Sequence, residues 1–291
     1  MKKYIPYLLI IAVVFGGIYY LSTSKKENTA PESSKPMMED AIDRSYKLEV
    51  TSNVSSIKPG QKTTIAFRIK NDKGEIFKNF EVAHEKIMHF IVVRKDLQDF
   101  QHLHPDFNES TGEFSVDVTF PNDGLHRIFP DFTPGEDNPQ KLPVTVSSDV
   151  EVGDQTKYKT QLVVADKEMK KTYGDYQVTF TVPDVKAQEE FTYNLLIEKN
   201  GQPVSDLDKY LGALGHSVII KEGTLDFIHT HAGETVTNQA IHHGGTVDDT
   251  EKKGPKIDFT TTFPESGLYK IFTQFQHQGK IVTSDYIIQV K

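Results

Sequence analysis

The sequence predicts an all-β protein: two homologous β-sandwich domains in tandem behind a single N-terminal transmembrane helix. Three observations carry that prediction. An uncharged apolar run opens the chain, the remainder is built of short strand-like segments, and those segments repeat once. The 291 residues include 33 Lys and Arg against 41 Asp and Glu, a net charge of −8. At roughly 100–200 residues per domain, this length accommodates two domains with separate cores. An acidic balance argues against nucleic acid, whose phosphates require a basic face. There is no Cys, which removes disulfide scaffolds, thiolate metal sites, Cys nucleophiles and Cys lipidation. Histidine is conspicuous instead: 11 residues, all between His84 and His277.

The first element is the run from Ile5 to Leu21, preceded by Lys2 and Lys3. With Tyr4 and Ser22 it approaches the roughly 20 residues that cross a bilayer as a helix. Its end, Ile18-Tyr19-Tyr20-Leu21-Ser22, has interfacial tyrosines and lacks the small-x-small site of a cleaved signal peptide. Residues 1–22 therefore read as a signal anchor, with the C-terminal part exported; a cleaved signal peptide is the alternative. Residues 23–45, rich in Ser, Lys, Glu and Pro, read as a disordered stalk.

From Tyr46 onward, short runs of Val, Ile, Phe, Thr and Tyr alternate with Gly, Pro, Asn and Asp. Examples are Lys62–Ile69, Gln177–Val182 and Asp285–Val290. Short strands at this spacing point to sandwiches or barrels. The segment 88–105 (MHFIVVRKDLQDFQHLHP) aligns with 215–232 (GHSVIIKEGTLDFIHTHA) at an offset of 127. His89, His102 and His104 then fall on His216, His229 and His231, and Asp99-Phe100 on Asp226-Phe227. At an offset of 143, residues 120–125 (FPNDGL) match 263–268 (FPESGL), and Ile128-Phe129 matches Ile271-Phe272. The change of offset marks a 16-residue insertion in the second copy, around Gly233–Pro255. Two homologous domains follow, 46–152 and 153–291.

Each copy carries the spacing His-x12-His-x-His. The polar stretch Arg94–Gln98 suits a hairpin connection, and paired residue numbers summing to 191 or 193 put all three imidazoles on one face. Opposed side chains would then lie close enough to share one ion. Ile91, Val93 and Phe100 share that face, as do Val218, Ile220 and Phe227, which places each triad at the rim of a sandwich core. The predicted metal ligands are His89, His102 and His104 in one domain and His216, His229 and His231 in the other. A structural, hydrogen-bonded histidine cluster is the plainer alternative, and a pH sensor a further one.

Three imidazoles without thiolate suit Cu²⁺, Zn²⁺ or Ni²⁺ rather than calcium or magnesium. Copper is the first expectation and zinc the alternative. Catalysis is not expected. Asp99 and Asp226 recur but should face away from the triads, and no phosphate loop, H-E-x-x-H helix or nucleophile elbow occurs. A zinc-dependent hydrolase is thus a minor alternative. Of the remaining histidines, His126 reads as a strand residue or a copy-specific ligand. His242-His243 read as a polar loop or a mobile extra ligand, and His84 and His277 as surface residues.

The triad segments and the F-P-x-x-G-L segments after them resemble those of exported bacterial proteins with tandem cupredoxin- or immunoglobulin-like domains of the YtkA-like kind. Some of these are associated with copper handling. The resemblance implies a membrane-anchored, extracytoplasmic metal-binding protein, acting with the metal ion and another membrane or metal-transport protein as partners. True cupredoxins bind copper through Cys, which is missing here, so the resemblance does not extend to electron transfer.

Overall fold

The computed structural model describes residues 46–135, 142–233, 235–237, 240–242 and 253–291. The expected anchor (1–22) and stalk (23–45) lie outside the described residues. No helix among the described residues is long and apolar enough to cross a membrane. Arg44–Lys291 form one compact unit. Its regular elements are strands throughout, arranged as two repeated domains.

The first domain runs through β1 (Lys47–Val50), β2 (Lys62–Lys70), β3 (Phe80–Glu81), β4 (His89–Arg94) and β5 (Gln101–Leu103). It continues with β6 (Asp106–Asn108), β7 (Glu113–Thr119), β8 (Gly124–Pro134), β9 (Val144–Thr145) and β10 (Ser148–Val152). One sheet has the order β1-β2-β7-β6; the other is β10-β8-β4-β5, with β3 and β9 added to β8. Strict alternation explains how they pack. Ile65, Phe67 and Ile69 of β2 and Phe114, Val116 and Val118 of β7 turn inward, while their neighbours face solvent. They meet Phe90, Val92, Ile128, Phe132, Val150 and Val152 of the opposite sheet. Phe67 is the pivot, stacked on Phe90 at 5.2 Å and on Phe114 at 5.3 Å.

The second domain comprises β11 (Lys170–Tyr173), β12 (Tyr176–Thr181), β13 (Glu190–Lys199), β14 (Gln202–Pro203), β15 (His216–Lys221) and β16 (Phe227–His231). Then come β17 (Thr235–Thr237), β18 (Ala240–His242), β19 (Lys256–Thr262), β20 (Gly267–His277) and β21 (Lys280–Val290). Its sheets are β11-β12-β13-β19-β17-β18 and β21-β20-β15-β16. The central order repeats that of the first domain: β1-β2-β7 corresponds to β12-β13-β19, and β10-β8-β4-β5 to β21-β20-β15-β16. The described part of the insertion supplies β17 and β18. Its β17 runs parallel beside β19, at the edge where β6 flanks β7 in the first copy. His242 falls in β18, and His243 lies outside the described residues.

The hairpin registers decide between the two sequence alternatives. Phe90 pairs with Leu103 and Ile91 with His102, so paired numbers sum to 193; His216 pairs with His231 in the matching register. The connection is not the two-residue loop that the shorter register needs. Leu97 and Asp99 take left-handed backbone (φ 61° and 57°), as does Leu225 (φ 62°) in the second copy. The longer, bulged turn nevertheless keeps the parity, and the three histidine positions stay on one face.

That face is not where the sequence placed it. Phe90 and Val92 fill the sandwich core, and Ile91 and Val93, on the opposite face with the triad, are equally buried. What buries them is the other domain. Ile91, Val93, Leu97 and Phe129 form a separate apolar cluster with Val218, Ile220, Leu225 and Phe272. Phe100 stacks on Phe272 at 4.2 Å, and Phe129 on Phe227 at 5.3 Å. Phe100 and Phe227 are repeat equivalents, as are Phe129 and Phe272. The two stacks are therefore one contact made twice, the signature of a pseudo-two-fold, isologous interface. The stripe read as a core rim is the seam between domains.

Candidate metal centre

The seam ends in histidines. His89, His102 and His104 lie together, with one candidate ligand atom from each within 4.8 Å of the others. His89 opens β4, His102 sits in β5, and His104 follows it. In the second domain the corresponding close group is His84, His216 and His231. His84 comes from the first domain and takes the place expected for His229. It is half-buried rather than a surface residue. Its ring stacks on His231 with centroids 3.5 Å apart and meets His216 edge-on at 5.6 Å. His229 stands outside that group but touches both: its ring lies 4.5 Å from His231, 5.2 Å from His89 and 5.9 Å from both His102 and His216. The two sets of imidazoles thus form a single cluster across the seam.

Which nitrogen of each ring carries its proton follows from the groups around it. His89 Nε2 faces the Ala83 carbonyl at 3.4 Å, and His216 Nε2 faces the carbonyls of Tyr210 at 2.8 Å and Leu211 at 3.2 Å. A carbonyl only accepts, so these nitrogens are the N–H donors and Nδ1 of each ring holds a lone pair. The partners Ala83 and Tyr210 are themselves separated by 127 residues, so this support is part of the repeat.

The middle histidines are oriented through Nδ1, and by the opposite domain. His102 Nδ1–H donates to Gln274 Oε1 at 2.7 Å; Gln274 Nε2–H in turn donates to Thr283 Oγ1 at 3.0 Å, which fixes the amide. His229 Nδ1–H donates to Asp131 Oδ2 at 2.9 Å, while Thr145 Oγ1–H donates to Asp131 Oδ1 at 2.7 Å. Asp131 and Gln274 are repeat equivalents, 143 residues apart, opposite His89 and His216 in the strand register. Each domain therefore supplies the oxygen that orients the other domain's middle histidine. An oxygen acceptor behind an imidazole is the usual support of a metal ligand.

The consequence is a set of inward lone pairs. His89 Nδ1 and His102 Nε2 are 2.9 Å apart, and in neutral rings with the protons just assigned neither carries hydrogen. With that assignment the two facing lone pairs repel unless a cation lies between them; the proton arrangement that avoids this, His89 Nδ1–H donating to His102 Nε2, gives up the Ala83 contact at 3.4 Å. A proton would make one ring an imidazolium, which the site opposes. Burial first, then the surrounding imidazoles, hold His89 well below its ordinary value and push His102 down to about 3. His104 falls to about 4 for the same first reason, with Lys86 next in effect; His216 and His231 are also held well below normal by burial. A metal ion resolves the conflict, because two nitrogens about 2 Å from one ion lie about 3 Å apart. His104 Nε2, His216 Nδ1 and His229 Nε2 are buried without a hydrogen-bond partner, which is costly unless something binds there. The donor set fits a transition-metal cation. A polar cleft of about 340 Å³, lined by residues including Thr64, His104, Asp106 and Asp117, opens beside His104.

Two further histidines are bonded away from the cluster. His126, in β8, is fully buried, with Nδ1 toward the Gly124 carbonyl and Nε2 toward Asp99, away from the cluster. His277 is not a surface residue: it is buried, with Nδ1 on the Tyr176 hydroxyl at 2.9 Å and Nε2 on Asp206 at 3.1 Å. Sequence reasoning missed His84, Asp131 and Gln274. His84 has no repeat partner to betray it. The other two are polar residues at matching positions inside otherwise buried strands, just beyond the aligned Ile-Phe pair.

A family model described as a domain of unknown function, DUF8832, matches residues 41–163 and again 170–291. No curated protein is a significant match to the sequence. Among solved structures, a DUF4426 family protein from Pseudomonas aeruginosa PAO1 is similar at 12% identity and a TM-score of 0.29, covering 42% of this chain and 96% of that one. The native conformation of Escherichia coli alpha-2-macroglobulin is similar at 12% identity and a TM-score of 0.26, over 86% of this chain and 14% of that one. The E. coli adhesin FdeC matches at 12% identity and a TM-score of 0.25, over 85% and 65% of the two chains. Scores this low carry no argument about fold or function.

Proposed function

The chain belongs to the DUF8832 family, carrying the domain twice, and from that premise and the histidine cluster we propose a metal-binding protein that sequesters or delivers its ion without catalysing a reaction. The observation that carries this reading is the convergence of His89 Nδ1 and His102 Nε2, 2.9 Å apart, with each ring's other nitrogen facing an oxygen acceptor. Copper is the preferred ion and zinc the alternative, because an all-imidazole set suits both and affinity order favours Cu²⁺. The apolar run Ile5–Leu21 supports a single-pass membrane anchor with the β domains outside the cytoplasm. A membrane-bound or metal-transport protein is the natural partner for such a carrier. Asp131 is committed to His229 and Thr145, which favours a supporting role for it over that of a general base.

The test is a spectroscopic titration of residues 46–291 with Cu²⁺ and with Zn²⁺, alongside His102→Ala and His229→Ala. Binding tighter than micromolar, weakened in the variants, is the expected result. Should the protein bind neither ion at that level while both variants melt at lower temperature, the histidines are a structural cluster instead.

A further inference from the structure

We infer that the cluster is a two-cation centre shared between the domains, in which His84 of the first domain is a ligand to the second domain's ion, so that the second ion clamps the domains together. The inference rests on the metal-binding reading above and specifies its stoichiometry and consequence. One close group, His89, His102 and His104, is drawn wholly from the first domain; the other, His84, His216 and His231, is drawn from both. The 3.5 Å stack of His84 on His231 places the first domain's ring directly beside the second domain's ligands. The groups are neighbours, with His89 and His216 ring centroids 6.2 Å apart and His229 against both rings. An ion held by ligands from both domains binds only where the domains are docked. By linkage, it stabilises the docked state as much as docking strengthens its binding. Two dications this close repel each other, so the two equivalents bind in separate steps. Asp131 is the buried carboxylate that offsets part of that charge.

The experiment titrates the full chain with Cu²⁺ and follows it by electron paramagnetic resonance. His84→Asn is the informative variant, because residue 84 has left-handed backbone (φ 50°) that Asn adopts readily. The wild type should take two equivalents, the second at least tenfold more weakly, with dipolar broadening between the ions as the second loads. His84→Asn should keep the first step and an isolated-ion spectrum, lose the second step, and gain no further rise in melting temperature beyond that of the first equivalent. Two equivalents with unchanged broadening in His84→Asn would overturn the clamp, leaving the second ion to His216, His229 and His231. A wild type that stops at one equivalent would overturn the two-ion centre while leaving the metal reading intact. A wild type that takes none overturns both.

Discussion

Asp131 and Gln274 show how much one residue does here. Each makes a single hydrogen bond to an imidazole of the other domain, and that bond selects the tautomer that turns Nε2 toward the cluster. Replacing such a support typically costs 10- to 100-fold in metal affinity. Asp131→Asn should therefore weaken binding by at least tenfold in a competition titration, with little loss of metal-free stability; unchanged affinity would remove the carboxylate from the site's design. Protonation is the second expectation at this scale. The unfolded histidines titrate near 6.5, whereas burial holds His102 at about 3 and His104 at about 4 in the fold. Below pH 6.5 the unfolded chain binds more protons than the folded one, so this stability is complete above about 6.5 and is lost steadily as pH falls toward 4. Melting of the metal-free protein between pH 7.5 and 4.5 measures it, and a flat profile would contradict buried, neutral rings.

The central strands β4 and β15 are where element-scale reasoning matters. Both are buried on both faces, one against the partner sheet of their own domain and the other against the opposite domain. Sequence alternation was legible enough to put the histidines with Ile91, Val93, Val218 and Ile220, because side-chain parity is a local property of a strand. It could not say which face met the sandwich core, since an apolar stripe packs as well against a second domain as against a second sheet. The reciprocal stacks of Phe100 on Phe272 and Phe129 on Phe227 are the anchor of that seam. Phe272→Ala should cost about 3 kcal/mol and should act on docking rather than on either sandwich. Denaturant unfolding should then split into two transitions with both domains still folded at the first; one cooperative transition at the original midpoint would contradict it.

At the scale of the whole molecule, the chain is an internal dimer. A duplicated domain has folded onto its own copy through an isologous face, and the equivalents Asp131 and Gln274 exchange hydrogen bonds across it. The symmetry is incomplete at informative places. Asp stands opposite Gln, the insertion adds β17 and β18 to the second copy only, and His84 has no counterpart. Those departures make the two histidine groups unequal, so the whole-molecule expectation is asymmetric. His104→Ala should abolish the tighter of two binding steps and leave the weaker, measured by calorimetric titration with Zn²⁺; equal loss of both steps would mean the groups act as one site.

The strand-rich architecture, the duplication and the common face of His89, His102 and His104 are legible without the fold, because alternation and repetition are written along the chain. It also carried the offsets that pair Asp131 with Gln274 and Phe100 with Phe227. Tertiary packing alone makes the two histidine faces meet, joins His84 to His216 and His231 with His229 touching both groups, and brings the supporting oxygens from the other domain. These are contacts between residues more than 90 positions apart. They depend on which of two apolar faces each sandwich keeps for itself and which it offers to its copy.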